Sequence, residues 1–413
     1  MSAHPSQPLP PSPRPHTAAD LAPIPPEALA AATRRFGEGT MLPAVAYTSA
    51  DVLAWEQRHL LAGSWVCVGR ADELHAGSNG DTVRQRGLVV GDIGVLLTWP
   101  ANGAVRALAN TCRHRGHEVV AIGHTGDRRA LVCPYHGWSY ELDGSLLAAP
   151  GFADLPNFEP ADHRLVELPV TNWQGWLFVN ATATAVPLET HLGDLAELVR
   201  PYAPAELGVR AVHEYEVAAN WKVLVENYHE CYHCPMIHPE LCRVSPPSSG
   251  ENWDRPGAWV GGSMDLADEA ATMSLSGRSG GVPLPGVDQR HVLYLGLFPN
   301  LLLSLHPDYV MTHRLVPVAP DRTWVECAWL FPPDVADPTY AVEFWDRTNR
   351  QDWAACESVQ RGLASPHFRP GPLAPNEDAV YQWIRMIARS YLGFPAHEKP
   401  RPSGASSPLP RGG

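Results

Sequence analysis

The chain has 413 residues, 45% hydrophobic and 18% charged, with a formal net charge of −13. That balance suits a globular enzyme of two domains. It excludes nucleic acid and anionic membranes as partners, because both need a basic surface. No apolar run approaches the length of a membrane span, and no secretory leader is expected. Eight cysteines in so long a chain read as reduced thiols rather than a disulfide framework, so the cytoplasm is the expected compartment.

Residues 1–26 are rich in proline and poor in aromatics, and 1–40 is expected to be mostly disordered; 397–413 has the same character. A helix is predicted over 51–61, capped by Ser49 or Asp51. Short apolar runs follow at 64–68, 88–90, 95–98, 131–133 and 175–179, punctuated by Gly, Asp and Asn. They predict an all-β domain within 41–180.

Inside that domain lie Cys112-Arg113-His114-Arg115-Gly116 and Cys133-Pro134-Tyr135-His136-Gly137-Trp138, with 18 residues between His114 and Cys133. One Cys and one His come from each of two tight loops. Two thiolates and two neutral imidazoles suit a Rieske [2Fe–2S] cluster, with one iron held by Cys112 and Cys133 and the other by His114 and His136. The neutral ligands raise the potential, so the centre is built to take up an electron and pass it on. Cys₂His₂ is also a zinc set. Zinc fingers, however, group their cysteines and their histidines separately, and a zinc clip organises a short domain with little core. Electron-carrier Rieske proteins usually add a loop disulfide. Its positions hold His117 and Tyr135 here, which favours the oxygenase-associated type.

After Asn180 the pattern becomes α+β. Strands of an antiparallel sheet are predicted at 212–217, 292–297, 301–305, 313–318 and 323–331, with helices at 188–202, 221–232, 339–363 and 376–391. This second domain spans 181–396. Residues 243–287, rich in Gly, Ser and Pro, are expected to form a loop region of the kind that walls a pocket.

The segment 226–238 holds three His and two Glu. His229-Glu230-x-x-His233 fits the HExxH pattern of a zinc metalloprotease if it lies on one helix. Alternatively His233 and His238 are metal ligands, with Pro235 ending the helix so that the chain turns His238 back. Spacing does not choose between them. An upstream electron centre needs a redox-active acceptor, and zinc is redox-silent, whereas iron held by two His and one carboxylate keeps open positions for O₂. The carboxylate should come from the helix at 339–363, where Asp352 competes with Asp346, or from Asp378 on the next helix.

With these motifs, the chain resembles the alpha subunits of Rieske non-haem iron ring-hydroxylating oxygenases over about 47–391. Within them it is similar to the branch containing glycine betaine monooxygenase, stachydrine demethylase and choline monooxygenase, through 226–241, 257–273, 298–310 and 351–363. The resemblance implies a helix-grip catalytic domain. It implies Cys112, His114, Cys133 and His136 as cluster ligands, and His233, His238 and Asp352 as ligands of a mononuclear Fe(II). Glu230 would be the electron relay, bonded to a cluster His of the neighbouring subunit. It further implies a homotrimer, electrons from NAD(P)H through a separate flavin or iron–sulfur reductase, and O₂ and a small molecule as substrates. Oxidative N-demethylation of a quaternary ammonium compound such as glycine betaine or stachydrine is the activity it favours, with hydroxylation of an aromatic or other small metabolite as the alternative. Trp253, Trp259, Tyr294 and Phe298 lie in segments expected to wall the pocket.

Overall fold

The computed structural model describes residues 21–72, 83–99 and 104–398; 1–20 and the tail from 399 lie outside the described residues, and so do the expectations of disorder there. Three small sheets build the N-terminal β domain. Thr125–Arg128, Val83–Val90, Ile93–Trp99, Arg106–Ala109 and Glu167–Leu168 form the largest, in that spatial order. Leu131–Val132, Ser139–Tyr140 and Leu146–Ala148 form the second, and Val66–Arg70, Trp176–Val179 and Val170–Trp173 the third. In the polar stretch 123–129, Gly123 turns at φ +79°. Thr125–Arg128 pairs with Val83–Val90, and Arg84 meets Asp127 at 3.0 Å.

A seven-stranded antiparallel sheet forms the C-terminal domain. Its order is Gly208–Val217, Arg322–Phe331, Val310–Ala319, Leu301–Leu305, His291–Leu297, Trp259–Asp265 and Glu251–Asn252. Alternate residues of these strands enter different cores. Val292, Leu302, Val325 and Trp329 pack with the helices Trp221–Tyr228, Thr339–Leu363 and Asp378–Tyr391. Leu293, Leu295, Leu301, Leu303 and Leu330 pack with Trp65, Cys67, Trp176 and Phe178 of the β domain. Period-two alternation therefore places the sheet between helices on one face and the β domain on the other. The run Leu301–Leu305, four leucines and Ser304, is buried throughout because both faces are covered. Asn300 fastens the two domains, bonding both the N–H and the C=O of Cys67 at 3.0 Å.

Two sequence expectations need correction here. Trp259–Asp265 is a strand inside the region read as loop, because Gly261 and Gly262 interrupt its apolar alternation. A Cβ at Gly262 would lie 1.7 Å from the carbonyl of Glu251, so the neighbouring strand can approach only because no side chain is present. The predicted helix 188–202 is broken into Leu188–Leu192 and Leu195–Val199 by Gly193, at φ +55°.

The N-terminal segment is the larger correction. Residues 21–40 are not disordered: Ala22, Ile24, Leu29 and Ala32 are buried in the helical core of the C-terminal domain. The N–H of Ala22 bonds Tyr391 O at 3.2 Å, and Tyr391 ends the last helix. The helix predicted to open the β domain runs over Ala50–Glu56, capped by Ser49, and continues in a wider π-type turn over Gln57–Leu61. Tyr47, Val52 and Leu60 join that same helical core rather than the β domain.

A wholly buried polar cluster closes this contact. Lys222 Nζ donates to Glu56 Oε1 at 2.7 Å with both side chains fully excluded from solvent. Trp221 Nε1 donates to Glu56 Oε2 at 2.9 Å, and Tyr391 also bonds this carboxylate. Removing one member of a buried pair leaves an uncompensated charge. Lys222→Met should therefore destabilise the protein by roughly 3–5 kcal/mol, read as a lower urea midpoint.

Beside it, Tyr47 OH donates to Glu226 Oε1 at 2.8 Å. Burial pushes the Glu226 carboxyl up from 4.5 to about 8, against the pull of Tyr47 and Lys222. The folded protein holds this proton more tightly than the unfolded chain, so the group's contribution to stability declines as pH rises from 4.5 to about 8. Glu226→Gln has no proton to lose. It should flatten the fall in Tm across that window.

No helix among the described residues is long and apolar enough to cross a membrane.

Candidate metal centres and substrate cavity

The two Cys/His loops of the β domain have the same internal wiring. Cys112 N bonds His117 O at 2.9 Å and Gly116 N bonds Cys112 O at 2.9 Å; Cys133 N bonds Trp138 O at 2.8 Å and Gly137 N bonds Cys133 O at 3.1 Å. Gly116 and Gly137, at φ +76° and +73°, supply the left-handed turn each loop needs. Both thiols are buried, while His136 is exposed and His114 partly so. The imidazoles meet edge to face with centroids 4.6 Å apart, and Trp138 stacks on His114 at 5.0 Å. Tyr140 OH lies 3.2 Å from Cys112 Sγ and accepts from Arg113 N.

Two observations test what this quartet fits. His114 Nδ1 is buried and has no hydrogen-bond partner, which is the state of an atom whose partner is a metal. Among the described residues, His233, His238 and Asp352 are the one His/Cys/Asp/Glu set whose donor atoms close to within 4.8 Å. The quartet is thus more widely spread than a single zinc ion would require, and a two-iron cluster fits it better.

In the C-terminal domain the helix Trp221–Tyr228 ends four residues earlier than its apolar pattern suggests. Pro235 does not terminate it; it sits in the first turn of a new short helix, Cys234–Ile237, where its missing N–H is harmless. His229 and His233 are therefore not on one helical face. His229 is buried, its Nε2 lacks a partner, and burial holds its imidazole neutral with a pKa lowered to about 3. The HExxH reading fails on that geometry.

His233 and His238 converge instead. His233 Nδ1 donates to Glu230 Oε1 at 2.5 Å and His238 Nδ1 donates to Gln351 Oε1 at 2.7 Å. Each ring is thereby fixed with Nε2 inward. The two Nε2 atoms lie 3.2 Å apart, and Asp352 Oδ1 is 3.3 Å from the first and 2.8 Å from the second. Burial pulls the His233 imidazole down, but Asp352 and Glu230 outweigh it and push it up to about 10. Burial acts on Asp352 in the opposite sense, and the two imidazoles hold its carboxyl below the usual range. Such a set holds a divalent cation well. The rival carboxylates are elsewhere: Asp346 bonds His213, Tyr215 and Arg350, and Asp378 accepts from Asn252.

The triad opens on a cavity of about 610 Å³ between the sheet and the helices. Tyr294 lines it, as its segment suggested. Trp253, Trp259 and Phe298 do not; Tyr228 and Trp345 do, together with Met264 and the thiols of Cys231 and Cys234. Tyr228, Trp345 and Gln351 escape sequence reading because only the packed helices bring them to the site.

The Rieske [2Fe-2S] domain family matches residues 64–159, and the family described as ring hydroxylating alpha subunit (catalytic domain) matches 204–393. The glycine betaine monooxygenase oxygenase subunit of Chromohalobacter salexigens is 30% identical over 373 residues, 80% of this chain and 81% of that one. This chain belongs to the Rieske ring-hydroxylating oxygenase alpha subunits. Among other Rieske oxygenases, the carnitine monooxygenase oxygenase subunit of Acinetobacter baumannii is 36% identical over 199 residues, covering 48% of this chain and 52% of that one. The chloroplastic choline monooxygenase of Arabidopsis thaliana is 26% identical over 369 residues, 84% and 81% of the two chains. The crystal structure of a quaternary ammonium Rieske monooxygenase superposes with a TM-score of 0.71 at 23% identity, over 92% of this chain and 100% of that one. As a Rieske oxygenase the chain uses a [2Fe–2S] cluster and a mononuclear iron, with electrons from NAD(P)H through a reductase. Rieske alpha subunits work with such reductases and form oligomers.

Proposed function

We propose that this Rieske oxygenase hydroxylates an N-methyl group of a small quaternary ammonium compound, which then loses formaldehyde. The observation that carries the reading is the aromatic wall of the cavity beside the triad. A quaternary nitrogen has no N–H to donate, so ring faces and carboxylates must recognise it. Cation–π contact contributes on the order of 2 kcal/mol per desolvated ring. Tyr228 and Trp345 suit this because their polar ends are engaged elsewhere: Tyr228 OH donates to Leu303 O at 2.8 Å and Trp345 Nε1 to Tyr309 OH at 2.8 Å. What they offer the cavity is ring surface. The names of the related glycine betaine, carnitine and choline monooxygenases support the same substrate class.

In this proposal Cys112, His114, Cys133 and His136 hold the cluster, and His233, His238 and Asp352 hold the mononuclear iron. When bound, the cluster supplies single electrons and the iron supplies O₂ activation. Glu230 fixes the tautomer of His233 and relays electrons from a cluster histidine of the neighbouring subunit, in a trimer. Gln351 does the orienting for His238. Tyr140 steadies the cluster through its bond to Cys112. Cytoplasmic placement is supported by the eight cysteines, two of them assigned to the cluster and none in a disulfide.

With a matched reductase and NADH, the purified protein should consume O₂ and release formaldehyde from methylammonium compounds in equal amounts. NADH oxidation with no product from any of them would refute the substrate class. Hydroxylated products from aromatic compounds supplied in the same assay would establish the other activity.

A further inference from the structure

The cavity carries a charge imbalance that the proposed function does not use, and any selection it exerts rests on that function. Four carboxylates line it: Asp352 and Glu230 at the triad, and Glu251 and Asp378 away from it. Among the described residues no Lys or Arg lines it. Of its imidazoles, His229 is held neutral by burial, and His233 and His238 are committed to the triad.

A divalent ion at the triad offsets Asp352 and Glu230 and leaves the other two. Glu251 Oε1 accepts from Trp253 Nε1 at 3.1 Å, and Asp378 Oδ1 from Asn252 Nδ2 at 2.6 Å. Both donors are neutral, so neither charge is paired with a cation; Glu251 is exposed and Asp378 half-buried, so solvent screens them in part. A methylammonium head is welcome in such a space. A second charge of opposite sign on the same molecule is not. The carboxylate of a zwitterion would lose water beside two like charges with no cationic side chain to receive it, and such a group is rejected more strongly than a neutral one of equal size.

We propose that this cavity selects monocationic quaternary ammonium compounds with a neutral polar tail, an alcohol or an amide, over zwitterions of the same size. Asn252, Asn376, Ser263 and Thr348 line the cavity and can bond such a tail. Selection then comes from Glu251 and Asp378, which act as specificity residues through charge.

The test compares glycine betaine with its isosteric amide, and with choline, on the holoenzyme and its reductase. Product formation gives kcat/KM and calorimetry gives Kd. The amide is expected to exceed the zwitterion in kcat/KM by about tenfold or more, with a correspondingly lower Kd. In Glu251→Gln and in Glu251→Gln/Asp378→Asn the gap should narrow, because the zwitterion improves. A zwitterion that binds and turns over as well as its amide overturns the selection and leaves the methylammonium activity standing. A gap unchanged in both variants overturns the role of these two carboxylates. Failure of every methylammonium compound to bind and react removes the function itself, and the selection with it.

Discussion

The Asp352→Ala protein is expected to lose its mononuclear iron while keeping the absorption and reduced-state paramagnetic spectrum of the Rieske cluster. Asp352 is the one anionic member of the triad and bridges both imidazole Nε2 atoms. Without it, two neutral nitrogens face a cation in a half-buried site and nothing balances its charge. Turnover should fall at least about a thousandfold, roughly 4 kcal/mol in the barrier. Metal analysis separates this from misfolding, since the [2Fe–2S] iron lies in the other domain and should be retained in full. Full mononuclear iron and activity in this variant would remove Asp352 from the site.

Glu230→Gln should behave differently. Glu230 bonds His233 and its neighbour three times over: Oε1 accepts from His233 Nδ1, Oε2 accepts from the backbone N–H of His233 at 3.0 Å, and Tyr232 N–H caps the same oxygen. Glutamine retains the shape and one acceptor but loses the charge that makes His233 a strong ligand. Both metal centres should remain, and electron delivery in a single turnover should slow by about 10–100-fold. Rapid mixing of reduced protein with O₂ and substrate would measure it. An unchanged rate of cluster reoxidation would rule out the relay.

The elements legible in the sequence were those whose pattern is local. The helix Thr339–Leu363 and the strand Leu301–Leu305 have the predicted bounds, because continuous periodicity in the one and a dense run of leucines in the other leave no choice of state. The paired C-x-H and C-x-x-H loops were legible for the same reason: each is a self-contained turn. Where two segments negotiate a close approach, the sequence alone was a poor guide. Gly261 and Gly262 look like loop residues until the neighbouring strand is known. Pro235 looks like a helix stop, although it begins the next helix. The cavity wall was least legible, since Tyr228 and Trp345 come from two helices that meet only after packing. The segment 21–40 misled for another reason: low aromatic content suggested disorder, yet four small or aliphatic side chains pack into the helical core.

The clasp formed by residues 21–61 has a practical consequence for building hybrid oxygenases. An exchange of electron-transfer modules that cuts the chain near residue 41 would strip Glu56 from Lys222 and uncover the helical core. Seams near 62 and 180 leave the clasp with the half it closes. Only across such joints should a foreign iron–sulfur module be transplanted without unravelling the pocket it is meant to drive.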